Sequence, residues 1–365
     1  MTTLKPYVYF ILQALLVVNF VQGSGERIVQ TQPSDEVCTA EEQFVDAAFT
    51  NDNAHIVVST NRGHVYLFDR ELEQVRFRYT YAHPYALSIE VSPAHDFIVL
   101  YDRSDITNAA TSTIVLNMAG EVVQQFAGST GVSLSDRLVL TYGGADSNSP
   151  SRIWNIETGE TETSLEEYFG HSPLVSPDQK WLLELHNITA GRTELRSLPN
   201  FERAFVFPPL DPELSEIESP TTNGYNAGAF SPEYVGLAHE SAIYLWRLDA
   251  LELHNVISVR SEVALLRFSR SGDYMLTAYS SVNDALTDGS VELWSTEDFT
   301  EPLHTFPSYQ VGCCVAADAI DFAPDETSLL ILHDDNVLRT WDVATGQRLA
   351  ERRACVDETN ANTVP

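Results

Sequence analysis

Four cysteines are the residues of this chain with the most definite chemistry. They are Cys38, Cys313, Cys314 and Cys355. An even number of cysteines in an exported chain indicates disulfide pairs, whereas the thiols of cytoplasmic proteins stay reduced. None of the four has the C-x-x-C spacing with partner histidines that is typical of a zinc site. The cysteines therefore predict disulfide bonds and no metal centre.

Aspartates in two polar stretches could supply oxygen ligands for a cation. Asp102 and Asp105 lie in one stretch, and Asp284 and Asp288 lie in the other. A Ca²⁺ site needs about six to eight converging oxygen atoms, and these residues do not have the spacing of an EF-hand loop. We therefore interpret them as solvated loop carboxylates.

The sequence contains no recognisable nucleophile motif. Gly-x-Ser-x-Gly, the P-loop and the dinucleotide fingerprint are all absent. His55, His64 and His83 lie near one another along the chain, but their spacing identifies no partner carboxylate. We assign no catalytic residue, no metal ligand and no cofactor, so an enzyme is the less favoured class of protein.

The charge of the chain restricts its partners. It has 52 acidic and 21 basic residues among 365, a formal net charge of −31. A field of that sign repels nucleic acids and anionic membranes. A hydrated, soluble surface explains this composition most simply, and cations or basic partners would be attracted to it. We expect no nucleic-acid partner.

The N-terminus has the pattern of a secretory signal peptide. Residues 1–7 carry Lys5 and no acidic residue, and residues 8–21 are mostly apolar. The small residues Val21 and Gly23 lie three positions and one position before the expected cleavage site. The apolar run of about 14 residues is shorter than the ~20 that a spanning helix needs. A signal anchor and a buried helix are the alternatives. We expect cleavage after Gly23, no membrane attachment afterwards, and a secreted or periplasmic protein.

The rest of the chain is built from seven repeated units between residues 44 and 354. The last, residues 318–354, contains four short strand patterns separated by turn residues. Trp341 lies in the third strand of that unit. Its equivalents in the six earlier units are Trp294, Trp246, Arg196, Trp154, Leu116 and Phe68. Their spacing of about 45 residues is typical of propeller repeats. The pattern predicts an all-β, seven-bladed β-propeller of four-stranded antiparallel blades.

This organisation divides the chain into four parts. Residues 1–23 are the signal peptide, 24–43 an N-terminal segment with a candidate closing strand at 27–32, 44–355 the propeller, and 356–365 a flexible tail.

The repeats resemble the WD40-repeat superfamily. The residues that carry the resemblance are Trp341-Asp342, Gly170-His171, Asp288-Gly289-Ser290 and the Ser-Pro turns at Ser92, Ser176 and Ser231. It extends over nearly the whole mature chain. Because that superfamily mostly scaffolds protein assemblies, the resemblance implies a protein partner.

Ring closure suggests how the cysteines pair. Cys38 precedes the first strand of the first unit and Cys355 follows the last strand of the seventh, so both are expected on one face where the ring closes. Cys38–Cys355 is the preferred disulfide. A bond between Cys313 and Cys314, or a bond from one of them to Cys38 or Cys355, is the alternative.

The leading functional hypothesis is an exported, monomeric, non-enzymatic propeller that binds a protein or another ligand through loops on one face. The loops at 102–112, 143–151 and 280–288 form the candidate surface, with Arg103 and Tyr142 as contacts. The alternative is a propeller enzyme, such as a lactonase or hydrolase, with a metal or carboxylate site in the central channel.

Overall fold

The computed structural model describes most of the repeated region. The described residues are 42–81, 87–92, 97–102, 112–127, 130–135, 137–142, 151–165, 173–187, 192–208, 225–280, 291–307, 309, 317–333 and 335–354. The predicted signal peptide, residues 24–41 and the tail lie outside them. Among the described residues no helix is long and apolar enough to span a membrane.

The described residues form 28 strands in seven antiparallel sheets of four strands each. The strands of blades 1 to 3 are β1 (Phe44–Phe49), β2 (His55–Thr60), β3 (His64–Asp69), β4 (Val75–Thr80), β5 (Leu87–Val91), β6 (Ile98–Asp102), β7 (Ser112–Leu116), β8 (Val122–Ala127), β9 (Thr130–Ser133), β10 (Leu138–Tyr142), β11 (Ser151–Asn155) and β12 (Thr161–Leu165). The strands of blades 4 and 5 are β13 (Leu174–Val175), β14 (Trp181–Asn187), β15 (Arg192–Ser197), β16 (Arg203–Val206), β17 (Ala227–Phe230), β18 (Tyr234–His239), β19 (Ala242–Arg247) and β20 (Leu253–Ser258). The strands of blades 6 and 7 are β21 (Val263–Phe268), β22 (Tyr274–Tyr279), β23 (Val291–Ser295), β24 (His304–Phe306), β25 (Ala319–Phe322), β26 (Ser328–His333), β27 (Val337–Asp342) and β28 (Arg348–Arg353).

The seven sheets form a closed ring. Each sheet consists of four strands that are consecutive in the chain, and each strand pairs antiparallel with the one before it. The first strand of each blade contacts the first strand of the next at all seven junctions, including β25 of blade 7 with β1 of blade 1. The predicted seven-bladed propeller is confirmed. Among the described strands, no strand of blade 1 belongs to the sheet of blade 7, and no strand of blade 7 belongs to the sheet of blade 1.

Burial decreases from the axis of the ring to its perimeter. All six residues of β26 are buried, whereas the outer strands β12 and β28 are mostly exposed. The inner strands have neighbouring blades on both faces, which explains why they are apolar on both faces. Apolar clusters fill the junctions. The cluster between blades 7 and 1, for example, contains Phe44, Phe68 and Leu330.

The strand register confirms the repeat alignment. In every blade, the residue equivalent to Trp341 lies opposite an apolar residue at or next to the start of the second strand. These pairs are Ile56–Phe68, Ile98–Leu116, Val139–Trp154, Leu182–Arg196, Val235–Trp246, Met275–Trp294 and Leu329–Trp341. Four blades have tryptophan at this position, and the other three have Phe68, Leu116 and Arg196.

A turn at Thr345-Gly346 connects β27 and β28. The Asp342 carboxylate accepts hydrogen bonds from the backbone N–H and the hydroxyl of Thr345, both at 2.7 Å. Gly346 has φ +65°, and a Cβ there would lie 2.8 Å from Nδ1 of His304 in blade 6. Glycine is therefore required both by the backbone conformation and by the contact with the neighbouring blade.

Candidate binding face and central channel

The two faces of the ring carry different kinds of connection. Because consecutive strands are antiparallel, links from second to third strands and from one blade to the next emerge on one face, which we call the loop face. Links from first to second and from third to fourth strands emerge on the opposite turn face. Turn-face connections are three to eight residues long, whereas on the loop face β16 and β17 are separated by twenty residues. The long insertions therefore share one face.

The strands that precede the two predicted contact residues or contain them, β6 and β10, both end at the loop face. Tyr142 is the last residue of β10, and the description there covers its backbone only. Arg103 follows β6 directly and lies outside the described residues, as do the cores of the three predicted binding loops. Asp105, Asp284 and Asp288 also lie outside them, and the side chain of Asp102 is not described. The assignment of Arg103 and Tyr142 stays a prediction.

Carboxylates near the axis bind the backbone of neighbouring blades. The first strand of each blade has one unpaired edge, whose N–H groups need acceptors. Asp46 accepts a hydrogen bond from Ile89 N at 3.0 Å, and Asp321 accepts one from Phe49 N at 3.0 Å. Glu90 likewise accepts a backbone hydrogen bond from Ser133. Each carboxylate therefore joins its blade to the next, at junctions 1/2, 7/1 and 2/3.

Three charged groups occupy the same position in their respective first strands. In each first strand, one residue pairs with the second-strand residue that lies opposite the tryptophan position. Glu90, Arg267 and Asp321 each lie one position before that first-strand residue. Arg267 Nε lies 3.7 Å from Asp321 Oδ1, and the two side chains are 50% and 21% exposed. The Asp321 carboxylate is nevertheless surrounded by first strands, and this burial raises its pKa despite the charge of Arg267.

Burial also raises the pKa of Glu90. Burial raises the pKa of its carboxyl to about 8, against the opposing effects of the Ser133 hydrogen bond and the Arg267 charge. At neutral pH this side chain is therefore mostly protonated and can donate a hydrogen bond. Among the residues that the structure describes, no group of three histidine, cysteine, aspartate or glutamate side chains is placed to hold a metal ion.

A pair formed by His64 and Glu42 lies beside the loop face in blade 1, and the sequence spacing alone did not identify this carboxylate partner. His64 Nδ1 is 2.6 Å from Oε1 of Glu42, a residue 22 positions earlier, and Arg78 Nη2 lies 2.8 Å from His64 Nε2. Burial alone would raise the pKa of Glu42, but hydrogen bonds from His64 and Thr60 hold it below its usual range. The contacts with neighbouring side chains give this cluster a structural role in blade 1.

In blades 3 and 6 a threonine of the second strand supports the tryptophan. Trp154 Nε1 donates to Thr141 Oγ1 at 2.8 Å, and Trp294 Nε1 donates to Thr277 Oγ1 at 3.1 Å. In blade 6 the chain of hydrogen bonds continues from Thr277 to the hydroxyl of Tyr279 at 3.1 Å. Leucine and isoleucine replace this threonine in blades 5 and 7, where the indole nitrogens have no hydrogen-bond partner among the described residues.

Blade 4 replaces the tryptophan–threonine pair with buried charges. Arg196 holds the tryptophan position and Glu184 the threonine position, and Arg196 Nε lies 2.6 Å from Glu184 Oε1. Glu194, opposite Glu184, is 3.4 Å from Arg196 Nη2 and 2.8 Å from Arg203 Nε. Arg196 Nη1 also donates to Phe201 O at 3.1 Å. The network has compensating charges and links three strands of the blade.

Polar contacts also close the ring between blades 7 and 1. On the loop face, Asn336 Oδ1 accepts a hydrogen bond from Phe44 N at 2.6 Å. On the turn face, Arg70 binds both oxygens of Asp325, at 2.7 and 3.1 Å. These hydrogen bonds hold the pKa of Asp325 well below its usual range. The junction that joins the two ends of the repeat array is thus tied on both faces.

All four cysteines lie outside the described residues. Ala354, next to Cys355, packs in the same apolar cluster as Phe44, which follows Cys38 by six positions. The described residues at the two ends of the repeat array, Phe44 and Ala354, therefore lie at the junction of blades 7 and 1. The Cys38–Cys355 pairing stays a prediction, as do the alternatives through Cys313 and Cys314.

Comparisons with known proteins agree on the fold. No family model matches the chain. A WD repeat-containing protein WDS homolog from Arabidopsis thaliana is 33% identical over 95 residues, which are 25% of this chain and 16% of that relative. The crystal structure of the C-terminal WD40 domain of Sif2 matches with a TM-score of 0.57 and 14% identity, over 82% of this chain and 81% of that one. The resemblance seen in the sequence is confirmed at the level of the fold: this chain is a seven-bladed β-propeller whose fold is similar to that of a WD40 domain.

Proposed function

We propose that this protein is an exported, non-enzymatic scaffold that binds a protein partner through its loop face. The WD40-type fold supports a role in protein binding, because rigid propellers present loops of independent sequence on a common surface. The N-terminal pattern of residues 1–23 supports export. The charge of −31 disfavours nucleic acids and anionic membranes as partners.

The proposal rests on the unequal lengths of the connections between strands on the two faces of the ring. The turn face has short turns whose side chains bind neighbouring turns. For example, the Glu326 carboxylate accepts hydrogen bonds from Ser271 across the junction of blades 6 and 7. The loop face bears the long insertions, and the strand ends that flank the three candidate binding loops all point to it. A surface for a partner is therefore best placed on the loop face.

Loop-face variants should lose partner capture while the ring stays folded. Replacing Arg103 and Tyr142 by alanine, together with replacement of 143–150 by a Gly/Ser linker of equal length, is expected to reduce capture from the protein's own extract at least about tenfold. The matched control is Arg137→Ala on the turn face, where this side chain is 68% exposed. Capture is quantified by mass spectrometry and folding by circular dichroism. Unchanged capture by the loop variant would contradict the proposed face.

Export predicts a defined mature protein. Intact-mass measurement of the protein recovered outside the cytoplasm should show a chain that begins at Ser24. Peptide mapping without reduction should show Cys38 linked to Cys355. A chain that keeps residues 1–23, or that is found only in the cytoplasm with free thiols, would contradict the exported location.

A further inference from the structure

The seven first strands surround the central channel, and few of their residues are charged. Asp46 of β1, Glu90 of β5, Arg267 of β21 and Asp321 of β25 are the charged residues of these described strands. The first strands β9, β13 and β17 carry none. Arg267 is therefore the one cation that the first strands contribute to the channel.

Glu90, Arg267 and Asp321 lie at the same height in the channel. Each is the next-to-last residue of its first strand, and all seven next-to-last residues are described. Because the blades are linked on the loop face, first strands run from the loop face to the turn face. The level of the next-to-last residues, which we call the channel ring, therefore lies near the turn face. Its other four members are apolar: Ala48, Val132, Leu174 and Ala229.

The side chain of Arg267 extends into the channel. It is 50% exposed, whereas Leu266 and Phe268 on either side of it are each only 6% exposed. Its Nε lies 3.7 Å from Oδ1 of Asp321, which is longer than a hydrogen bond. Among the described residues, none accepts a hydrogen bond from this guanidinium. Its planar set of N–H donors can therefore bind a ligand.

The two carboxyl groups of the channel ring neutralise Arg267 only in part. Asp321 accepts a hydrogen bond from Phe49 N, and Glu90 accepts one from Ser133 N, so both carboxyls already bind the next blade. Burial raises the pKa of both carboxyls, that of Glu90 to about 8, although the charge of Arg267 acts in the opposite direction on each. At neutral pH, Glu90 therefore supplies an O–H donor rather than a second negative charge.

The arrangement across the ring places these donors opposite each other. Arg267 lies in blade 6 and Glu90 in blade 2, on the far side of the seven-membered ring, and the charge of the arginine still reaches the carboxyl. Between them the wall is formed by apolar members of the channel ring. A few polar groups that converge from apolar walls are typical of a site for a small molecule.

We propose that the channel ring binds the carboxylate group of a small monocarboxylic acid. The carboxylate accepts paired hydrogen bonds from the guanidinium of Arg267 and a further one from the hydroxyl of Glu90. The apolar tail of the acid contacts Ala48 and Leu174, which are partly exposed. The site lies in the channel near the turn face, so it does not depend on the loop face.

Charge decides among the other small ligands. A dianion such as succinate or phosphate would bring its second charge close to Asp321 and to Asp46, which lies one layer nearer the loop face. A cation would lie against Arg267, and no group of three described side chains is placed to hold a metal ion. A single negative charge with an apolar tail fits the channel ring best.

Butyrate binding to the full-length mature protein tests this site. Isothermal titration calorimetry at about pH 6.5 should give one saturable site with a dissociation constant of about 1 mM or tighter. Butyramide, n-butylammonium and succinate are the neutral, cationic and dianionic comparisons, and each should bind at least about tenfold more weakly. No saturable butyrate binding up to about 20 mM would overturn the proposal, as would equal or tighter binding of any of the three comparisons.

Arg267→Gln should weaken butyrate binding at least about tenfold, because it removes the charge and the paired donors. The matched control is Arg270→Gln, the same change at an exposed arginine three positions later, and it should stay within about twofold of the unmodified protein. Circular dichroism checks that both variants fold. If Arg267→Gln does not fold, Arg267→Lys keeps the charge without the fork and should bind about fivefold more weakly. Unchanged binding in the folded variant would contradict the site.

Two variants of Glu90 separate ligand binding from a purely structural role. Glu90→Gln keeps a donor and should bind butyrate within about threefold of the unmodified protein, whereas Glu90→Ala should bind about fivefold more weakly. In the unmodified protein, binding should weaken between about pH 6.5 and 9, because Glu90 and Asp321 become ionised beside the carboxylate. Glu90→Gln should lose most of this decline. Affinity that is independent of pH in the unmodified protein would contradict the proposal.

The loop-face variant separates this site from the proposed partner surface. With Arg103, Tyr142 and 143–150 replaced, the protein should bind butyrate as the unmodified protein does, because these residues follow strand ends at the opposite end of the channel. Loss of butyrate binding in that variant would place the site at the loop face and contradict the proposal.

Discussion

Replacing Arg196 by alanine is expected to lower the free energy of unfolding by about 3–5 kcal/mol. Arg196 is almost fully buried, and so are Glu184 and Glu194. Its removal takes away the guanidinium that lies 2.6 Å from the fully buried Glu184 carboxylate. A buried, uncompensated carboxylate costs several kcal/mol, either directly or through forced protonation. Urea unfolding followed by tryptophan fluorescence measures the change.

Two further variants separate charge compensation from packing. Arg203→Ala removes a half-exposed partner of Glu194, which keeps Arg196, so its cost should stay below about 1 kcal/mol. The double variant Arg196→Trp with Glu184→Thr recreates the hydrogen-bonded pair that Trp154 and Thr141 form in blade 3. It should recover most of the stability lost in Arg196→Ala. A cost below about 1 kcal/mol for Arg196→Ala itself would show that the ion pair does not form.

Glu90 is expected to make the stability of the ring depend on pH. The difference between its folded pKa of about 8 and the ordinary value of 4.5 corresponds to at most about 5 kcal/mol. Below pH 4.5 the carboxyl is protonated in both states. As the pH rises towards 8, the unfolded chain loses this proton while the folded chain keeps it, so the free energy of unfolding falls. Urea titrations at about pH 5, 6.5 and 8 should show this decline.

The variant Glu90→Gln isolates this contribution, because glutamine keeps the shape of a protonated glutamate and has no charge to lose. The decline in the free energy of unfolding between about pH 5 and 8 should be smaller in the variant. At about pH 8 the variant should be at least as stable as the unmodified protein. Asp321, whose pKa burial also raises, provides a residual dependence of the same sign. An identical pH profile for the two proteins would show that Glu90 titrates normally.

Fold and repeat alignment were predictable from the sequence because they depend on local patterns. Strand alternation, turn residues and a period of about 45 residues recur within each unit, and every blade is made of consecutive strands. The equivalence of Trp341, Arg196 and Phe68 followed from spacing, and the strand register confirms it. What spacing could not show is that Arg196 forms a buried ion pair with Glu184, since this depends on the direction of side chains across two strands.

The candidate surfaces depend on tertiary structure. Antiparallel connectivity directs the strand ends beside the three predicted binding loops to one face, so the sequence could group these loops, although it could not give their geometry. The contacts that close the ring join Phe49 to Asp321 and Arg70 to Asp325, across 272 and 255 positions. The cavity between blades 7 and 1, lined by Leu72 on one side and by Leu349 and Arg352 on the other, likewise exists only because closure brings β28 beside blade 1. Local pattern determined the blades of this protein, whereas ring closure decided which charges meet, because residues far apart in the chain become neighbours only when the last blade packs on the first.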